Sequence, residues 1–173
     1  INFLVLNNEK YLNEKQSKFV TNIFNVLKLV HKDIIFLSLP SSLEVLSHKL
    51  CNNFKIKKLL LPENLQVIGS ECFSGCQIEV IDFPKTLVTI REFAFSGNKA
   101  LKKLDLEKCT NFKEIGDYAF SGCTSLEYVN LLGNFKVFIG KFAFVDCKIK
   151  TCFLPEGTCF DTACIDFSFI NKL

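Results

Sequence analysis

All four prolines of this chain, Pro40, Pro62, Pro84 and Pro155, occupy one position of a recurring phrase. The phrase reads IIFLSLPSSLEVL from Ile34, IKKLLLPENLQVI from Ile56 and IEVIDFPKTLVTI from Ile78. Its first half continues as LKKLDL from Leu101, LEYVNL from Leu126 and IKTCFLP from Ile149. The anchors at 34, 56, 78, 101, 126 and 149 are 22 to 25 residues apart. A period of this size signals a stacked-repeat architecture, because one such unit cannot bury its own apolar face and neighbouring units can do it together. Proline, with fixed φ and no N–H, suits the point where a strand ends and the chain turns away.

In each unit the fourth and sixth residues of the L-x-x-I-x-L half share one face of a short strand, by period-two alternation. The inward pairs are then Leu37/Leu39, Leu59/Leu61, Ile81/Phe83, Leu104/Leu106, Val129/Leu131 and Cys152/Leu154. The later I-G-x-x-A-F-x-x-C half spaces apolar residues at zero, four, five and eight, which predicts one or two helical turns. Parallel strands stack about 4.8 Å apart, so equivalent residues form columns, among them Ile68/Ile90/Ile115/Ile139 and Phe73/Phe95/Phe120/Phe144. The expected class is an α/β repeat of about six units with a parallel sheet, with the repeats spanning residues 34–164. Residues 1–33 lack the repeat. Phe19, Val20, Ile23, Phe24, Val26, Leu27 and Val30 recur there at intervals of three and four, predicting an amphipathic helix that caps the stack. The alternative for this helix is a separate partner-binding element. Residues 165–173 read as a degenerate C-terminal unit, with a partial seventh repeat around Phe167–Phe169.

The phrases LEYVNL…IGKFAFVDC and LPENLQVIGSECFSGC resemble the BspA-like class of leucine-rich repeats, found in bacterial surface proteins and in anaerobic protists. The resemblance spans Ile34 to Cys164. It implies a curved right-handed leucine-rich-repeat solenoid with its strands lining the concave face. It also implies an adhesion or scaffold role, with extracellular-matrix proteins among the ligands of such relatives, and a cell-surface or secreted location.

The nine cysteines test that reading, since three of four turn phrases close on one: CFSGC, AFSGN, AFSGC and AFVDC. Asn98 interrupts the column, which leaves Cys76 and Cys123 about 10 Å apart, beyond disulfide reach. Only Cys123 and Cys147 are column neighbours. A ladder of thiols does not converge on one ion as a structural zinc site does. Cys147, Cys152, Cys159 and Cys164 are the better candidates for metal or disulfide chemistry. Most of the nine read as small buried fillers, and no metal or other cofactor is expected. An odd cysteine total and the lack of an N-x-S/T sequon fit a cytoplasmic, reducing compartment. His31 and His48 have no placed acid or nucleophile, so no enzyme is expected.

Arg91 is the only arginine and the net charge is +3, which argues against nucleic acid as a partner. No apolar run approaches the roughly 20 residues needed to span a bilayer. The lack of methionine marks a fragment or a processed chain.

A protein partner remains, and the outward strand positions are where it would dock. Position three supplies Phe36, Lys58, Val80, Lys103, Tyr128 and Thr151, and position five supplies Ser38, Leu60, Asp82, Asp105, Asn130 and Phe153. Of these, Phe36, Lys58, Val80, Asp82, Lys103, Asp105, Tyr128, Asn130 and Phe153 form the candidate site, because they vary between units and include aromatics. The alternatives are an intracellular scaffold using the same face and edge-to-edge self-association of open strands.

Overall fold

The computed structural model describes residues 3–5, 13–30, 33–134 and 136–161. Its elements are β1 (Phe3–Val5), α1 (Asn13–Val30), β2 (Phe36–Ser38), β3 (Val45–Leu46), β4 (Lys58–Leu60), β5 (Val67–Ile68) and β6 (Val80–Asp82). They continue as β7 (Thr89–Ile90), β8 (Lys103–Asp105), β9 (Glu114–Ile115), β10 (Tyr128–Asn130), β11 (Phe138–Ile139), β12 (Thr151–Phe153) and β13 (Cys159–Phe160). Each of six turns contributes one three-residue and one two-residue strand, and every pairing is parallel. The two-residue strands make one continuous sheet from β3 to β13. The three-residue strands, on the expected concave side, form β1-β2-β4-β6 and then β8-β10-β12, with the ladder interrupted between β6 and β8. This is the parallel-sheet solenoid that the repeat predicts.

The three-residue strands fall on template positions three to five in all six turns, so the predicted inward residues form the core. Leu37, Leu104 and Val129 are wholly buried, and so are Ile68, Ile90 and Ile115 in the second column. The phenylalanine column is a stack of rings. Phe73, Phe95, Phe120 and Phe144 follow one another at 5.4, 5.3 and 5.5 Å with nearly parallel planes. Each ring adds about 1.5–3 kcal/mol of burial, and the offset contact adds to that.

The stretch expected to form helical turns does not. The N–H groups of Glu71, Phe73 and Gly75 reach the carbonyls of Glu92, Ala94 and Ser96 one turn on, while those of Cys72, Ser74 and Cys76 close onto Gly69, Glu71 and Phe73. A helix bonds consecutive N–H groups beyond its first turn within its own segment, and here alternate groups belong to the neighbouring turn. The alternation puts residues at left-handed φ: Glu71, Phe93, Tyr118 and Phe142 lie between 52° and 55°, and Gly75, Gly97 and Gly122 between 68° and 74°. Glycine takes that conformation without steric cost, and Asn53 and Asp146 stand in for it at the two ends of its column.

The closing residue of the turn is more than filler. Cys76, Cys123 and Cys147 donate their thiols to the carbonyls of Cys51, Phe95 and Phe120, each one turn back, at 3.1, 3.3 and 3.2 Å. Asn98 makes the equivalent bond to the Phe73 carbonyl at 2.8 Å, bonds the Phe95 carbonyl with the same amide, and accepts the Ile78 N–H at 3.1 Å. The link to the next strand explains the difference. Leu101 and Leu126 follow two-residue links and donate to the carbonyls of Asn98 and Cys123. Ile78 follows a one-residue link and is served by Asn98 instead. Cys76, Cys109, Cys123, Cys147, Cys152 and Cys159 are free thiols. Burial pushes Cys76 and Cys123 up to about 12 and Cys109 and Cys152 up to about 11. Cys164, the fourth member of the proposed C-terminal cluster, lies outside the described residues.

At the N-terminal end, β1 pairs with β2 through Phe3↔Phe36, Leu4↔Leu37 and Val5↔Ser38, so the sheet continues past the expected cap boundary at residue 33. The helix α1 crosses between these two parallel strands. Val20 and Phe24 are buried, with Phe24 edge-on to Phe54 at 5.5 Å, whereas Val26 and Leu29 face outward. The degenerate unit at 165–173 and the partial repeat at Phe167–Phe169 lie outside the described residues.

Three outcomes are expected. Phe120→Ala should cost about 3–5 kcal/mol in urea unfolding, and a loss under about 1 kcal/mol would show that the ring column does not carry the core. Asn98→Ala leaves the buried Ile78 N–H without its acceptor, while the Phe73 and Phe95 carbonyls keep the Cys76 N–H and the Cys123 thiol, so the cost should be about 1–3 kcal/mol. Asn98→Cys restores only the bond to Phe73, so its stability should fall between the wild type and Asn98→Ala; equality with the wild type would make the carboxamide dispensable. In native alkylation at pH 8 read by mass spectrometry, Cys159 should react well before Cys76 and Cys123, whose thiolates are scarce and enclosed.

Candidate functional site

The outward positions of the three-residue strands make one surface with three chemically distinct regions. Nearest the N-terminus it is largely apolar: Val80 is 69% and Leu60 52% exposed, beside half-buried Phe36 and exposed Lys58. The proline corners flank this region with a groove of about 740 Å³ lined by Leu60, Pro62, Asp82, Phe83, Pro84 and Lys108. At the centre, the missing ladder between β6 and β8 opens a cleft of about 640 Å³ over Val80, Ile81, Lys103 and Asp105.

Towards the C-terminus the surface is aromatic and charged. The Lys103 ammonium lies 2.8 Å from Asp105 and 4.8 Å from the centre of the Tyr128 ring, which in turn meets Phe153 at 5.9 Å. The bond to Asp105 holds the Lys103 ammonium above its ordinary range. For Asp105, burial opposes ionisation, but the bonds from Lys103 and the Glu107 N–H prevail and hold its carboxyl low. Asp82 is paired with Lys108. Where the strands begin, charges alternate turn by turn, with Lys57 3.4 Å from Glu79 and Lys150 2.8 Å from Glu127.

Asn130 departs from the expected exposed position. It is buried, at 4% exposure, with its amide on Glu107 at 3.2 Å and its carbonyl oxygen accepting the Leu132 N–H at 3.0 Å. Asp105 accepts the Glu107 N–H in the same way at 3.2 Å. Glu107 and Leu132 occupy the template position of the prolines, so in these two turns a side chain satisfies an N–H that proline lacks. The sequence carries this signal: Asp or Asn stands two residues before each of the two missing prolines.

Some groups come together that the sequence reading did not single out. Phe93, Tyr118 and Phe142, each one residue before the recurring A-F pair of its repeat, form a partly exposed aromatic row with ring centres 4.9 and 5.1 Å apart. Ser70 donates to the Glu92 carboxylate at 2.6 Å, and this bond holds the Glu92 carboxyl low. Exposed His48 adds only to the field at Glu92, so serine meets acid with no imidazole between them to take its proton. His31 lies outside the described residues. Among the described residues no group of three or more His, Cys, Asp or Glu side chains could hold a metal ion.

Residues 37–168 match the BspA type leucine rich repeat region, in six copies. A search of curated proteins returns no match. Among solved structures, the chain is similar to the pneumococcal vaccine antigen PcpA at 24% identity and a TM-score of 0.52, over 75% of this chain and 31% of that one. It is also similar to a leucine-rich repeat protein from Bacteroides ovatus, at 17% identity and a TM-score of 0.36, over 71% of this chain and 44% of that one. The chain therefore spans less than half the length of either protein. With the repeat region covering most of the sequence and six turns stacked as its period requires, the chain belongs to the BspA-type leucine-rich-repeat family.

Proposed function

We propose that this chain is a non-catalytic recognition module that binds a protein partner on the sheet of three-residue strands, in an adhesion role at a cell surface or in secreted form. One observation carries the reading. Equivalent inward positions repeat one chemistry from turn to turn, while the outward row runs Phe36, Lys58, Val80, Lys103, Tyr128, Thr151 and is open to solvent to differing degrees. Stacking demands repetition only of buried residues. The outward row is free to specialise, and its aromatic and apolar members are the residue types that anchor protein interfaces. The boundaries proposed are a capping segment at 1–33, repeats at 34–164 and a degenerate unit at 165–173. Among the described residues no helix is long and apolar enough to cross a membrane.

A second reading, an intracellular scaffold using the same face, is favoured by the free thiols of Cys76, Cys123 and Cys147. The two separate by partner. In surface plasmon resonance against a panel of immobilised extracellular-matrix proteins, the wild type should bind at least one member. The variant Lys58→Glu/Val80→Asp/Tyr128→Ala/Phe153→Ala should lose that binding, and Phe93→Ser/Phe142→Ser should keep it. Binding retained by the fourfold variant, with an unchanged thermal midpoint, would remove the face from consideration. No binding to any matrix protein would leave the scaffold reading in place of adhesion.

A further inference from the structure

Resting on the recognition role proposed above, we infer that the partner engages at the interruption between β6 and β8. The occupant is an extended peptide segment of a protein, uncharged at its centre, with an apolar side chain over Val80 and a carboxamide reaching the open main chain. Three observations converge on this place.

The first is the main chain. At each other junction between successive turns of this sheet, an N–H at the strand entry bonds a carbonyl of the turn before: Lys57 and Lys58 to Ile35, Glu79 to Lys57, Glu127 and Tyr128 to Lys102, and Lys150 and Thr151 to Glu127. The corresponding bond from Lys102 or Lys103 to Glu79 is not made, and β6 and β8 share no ladder. The second sheet is continuous at the same level, with Thr89 paired to Glu114. The break falls where the link before the strand lengthens from one residue (Gln77, between Cys76 and Ile78) to two (Lys99 and Ala100, between Asn98 and Leu101). An open ladder on an accessible face offers donors and acceptors to a polypeptide.

The second is the apolar surface. Among the described side chains of this sheet Val80 is the most exposed apolar residue, with Leu60 on the neighbouring strand. Ile81 is half-buried, whereas Leu37, Leu59, Leu104 and Val129 at the same template position are buried. The apolar side chain of a partner would cover this patch.

The third is charge. The cleft lines four acids against three lysines. Lys57 at its rim bonds Glu79, Lys108 is paired with Asp82, and Lys103 with Asp105. The charges balance, so they select neither an acidic nor a basic segment. The chain itself shows what bridges unmet groups between turns. Asn98 and Asn134 each use one carboxamide to serve an N–H and two carbonyls across a turn boundary.

The test pans a phage-displayed random dodecapeptide library on the chain. Winning peptides are synthesised, and their affinities are measured for the wild type and for variants. The expected result is a set of winners with apolar residues and Asn or Gln at their centre. Their affinity should drop at least about tenfold on Val80→Asp and stay unchanged on Phe93→Ser. Peptides indifferent to Val80→Asp but lost on Tyr128→Ala/Phe153→Ala would overturn this inference and keep the recognition face. Peptides indifferent to both variants would overturn the inference and the face together. A panning without binders, or winners with charged centres, would also overturn the inference.

Discussion

The hydrogen bonds between successive turns govern this molecule. Neither the three-residue strands nor the left-handed corners can satisfy their own main chain, so each turn depends on the next for its N–H partners. That dependence imposes register. A residue buried in one turn has an equivalent directly above and below it, which is how four phenylalanines come to lie in one stack and why the corner cannot be a helix. It also accounts for the backbone of Phe93, Tyr118 and Phe142. Their left-handed φ is a property of the position, shared with Lys49 and Glu71, and the aromatic row is built on a conformation that the stack already enforces.

Small substitutions in the template are absorbed by equivalent chemistry. A thiol and a carboxamide both reach the carbonyl one turn back, and the carboxamide also serves the N–H that a short link leaves unmet. Proline removes an N–H at the strand exit, and Asp105 or Asn130 accepts that N–H where proline is missing. These equivalences keep buried polar groups paired, at a saving of about 1–3 kcal/mol each against leaving them open. They also take Asn130, and part of Asp105, out of the candidate surface and into the frame. What remains open on that surface is Val80, Leu60, Lys58 and the aromatic pair Tyr128 and Phe153.

The inward columns, the strand positions and the family were legible because period and alternation are direct consequences of stacking. The corners were not, because the apolar spacing in I-G-x-x-A-F-x-x-C is the same for a helical turn and for a chain that alternates its bonds between two turns. Only the left-handed φ values separate the two. The candidate site was legible as rows but not in its pairings. Side-chain partners such as Lys108 for Asp82 come from a different turn, at a separation of 26 residues, which no local pattern encodes. The N-terminal strand was missed for a related reason, since three residues without the repeat show no period to match.

By itself the sequence determined that this chain stacks, which residues face the core, and which positions are free to vary, since all three follow from a period near 23 and from burying apolar side chains. Only the tertiary structure decided that Asn130 is buried, that charges on the open face neutralise one another, and that the ladder opens between β6 and β8. The physical reason is one of range. Periodicity reports what each turn must share with its neighbours, whereas the face a partner would meet depends on how particular unlike residues from different turns meet in space.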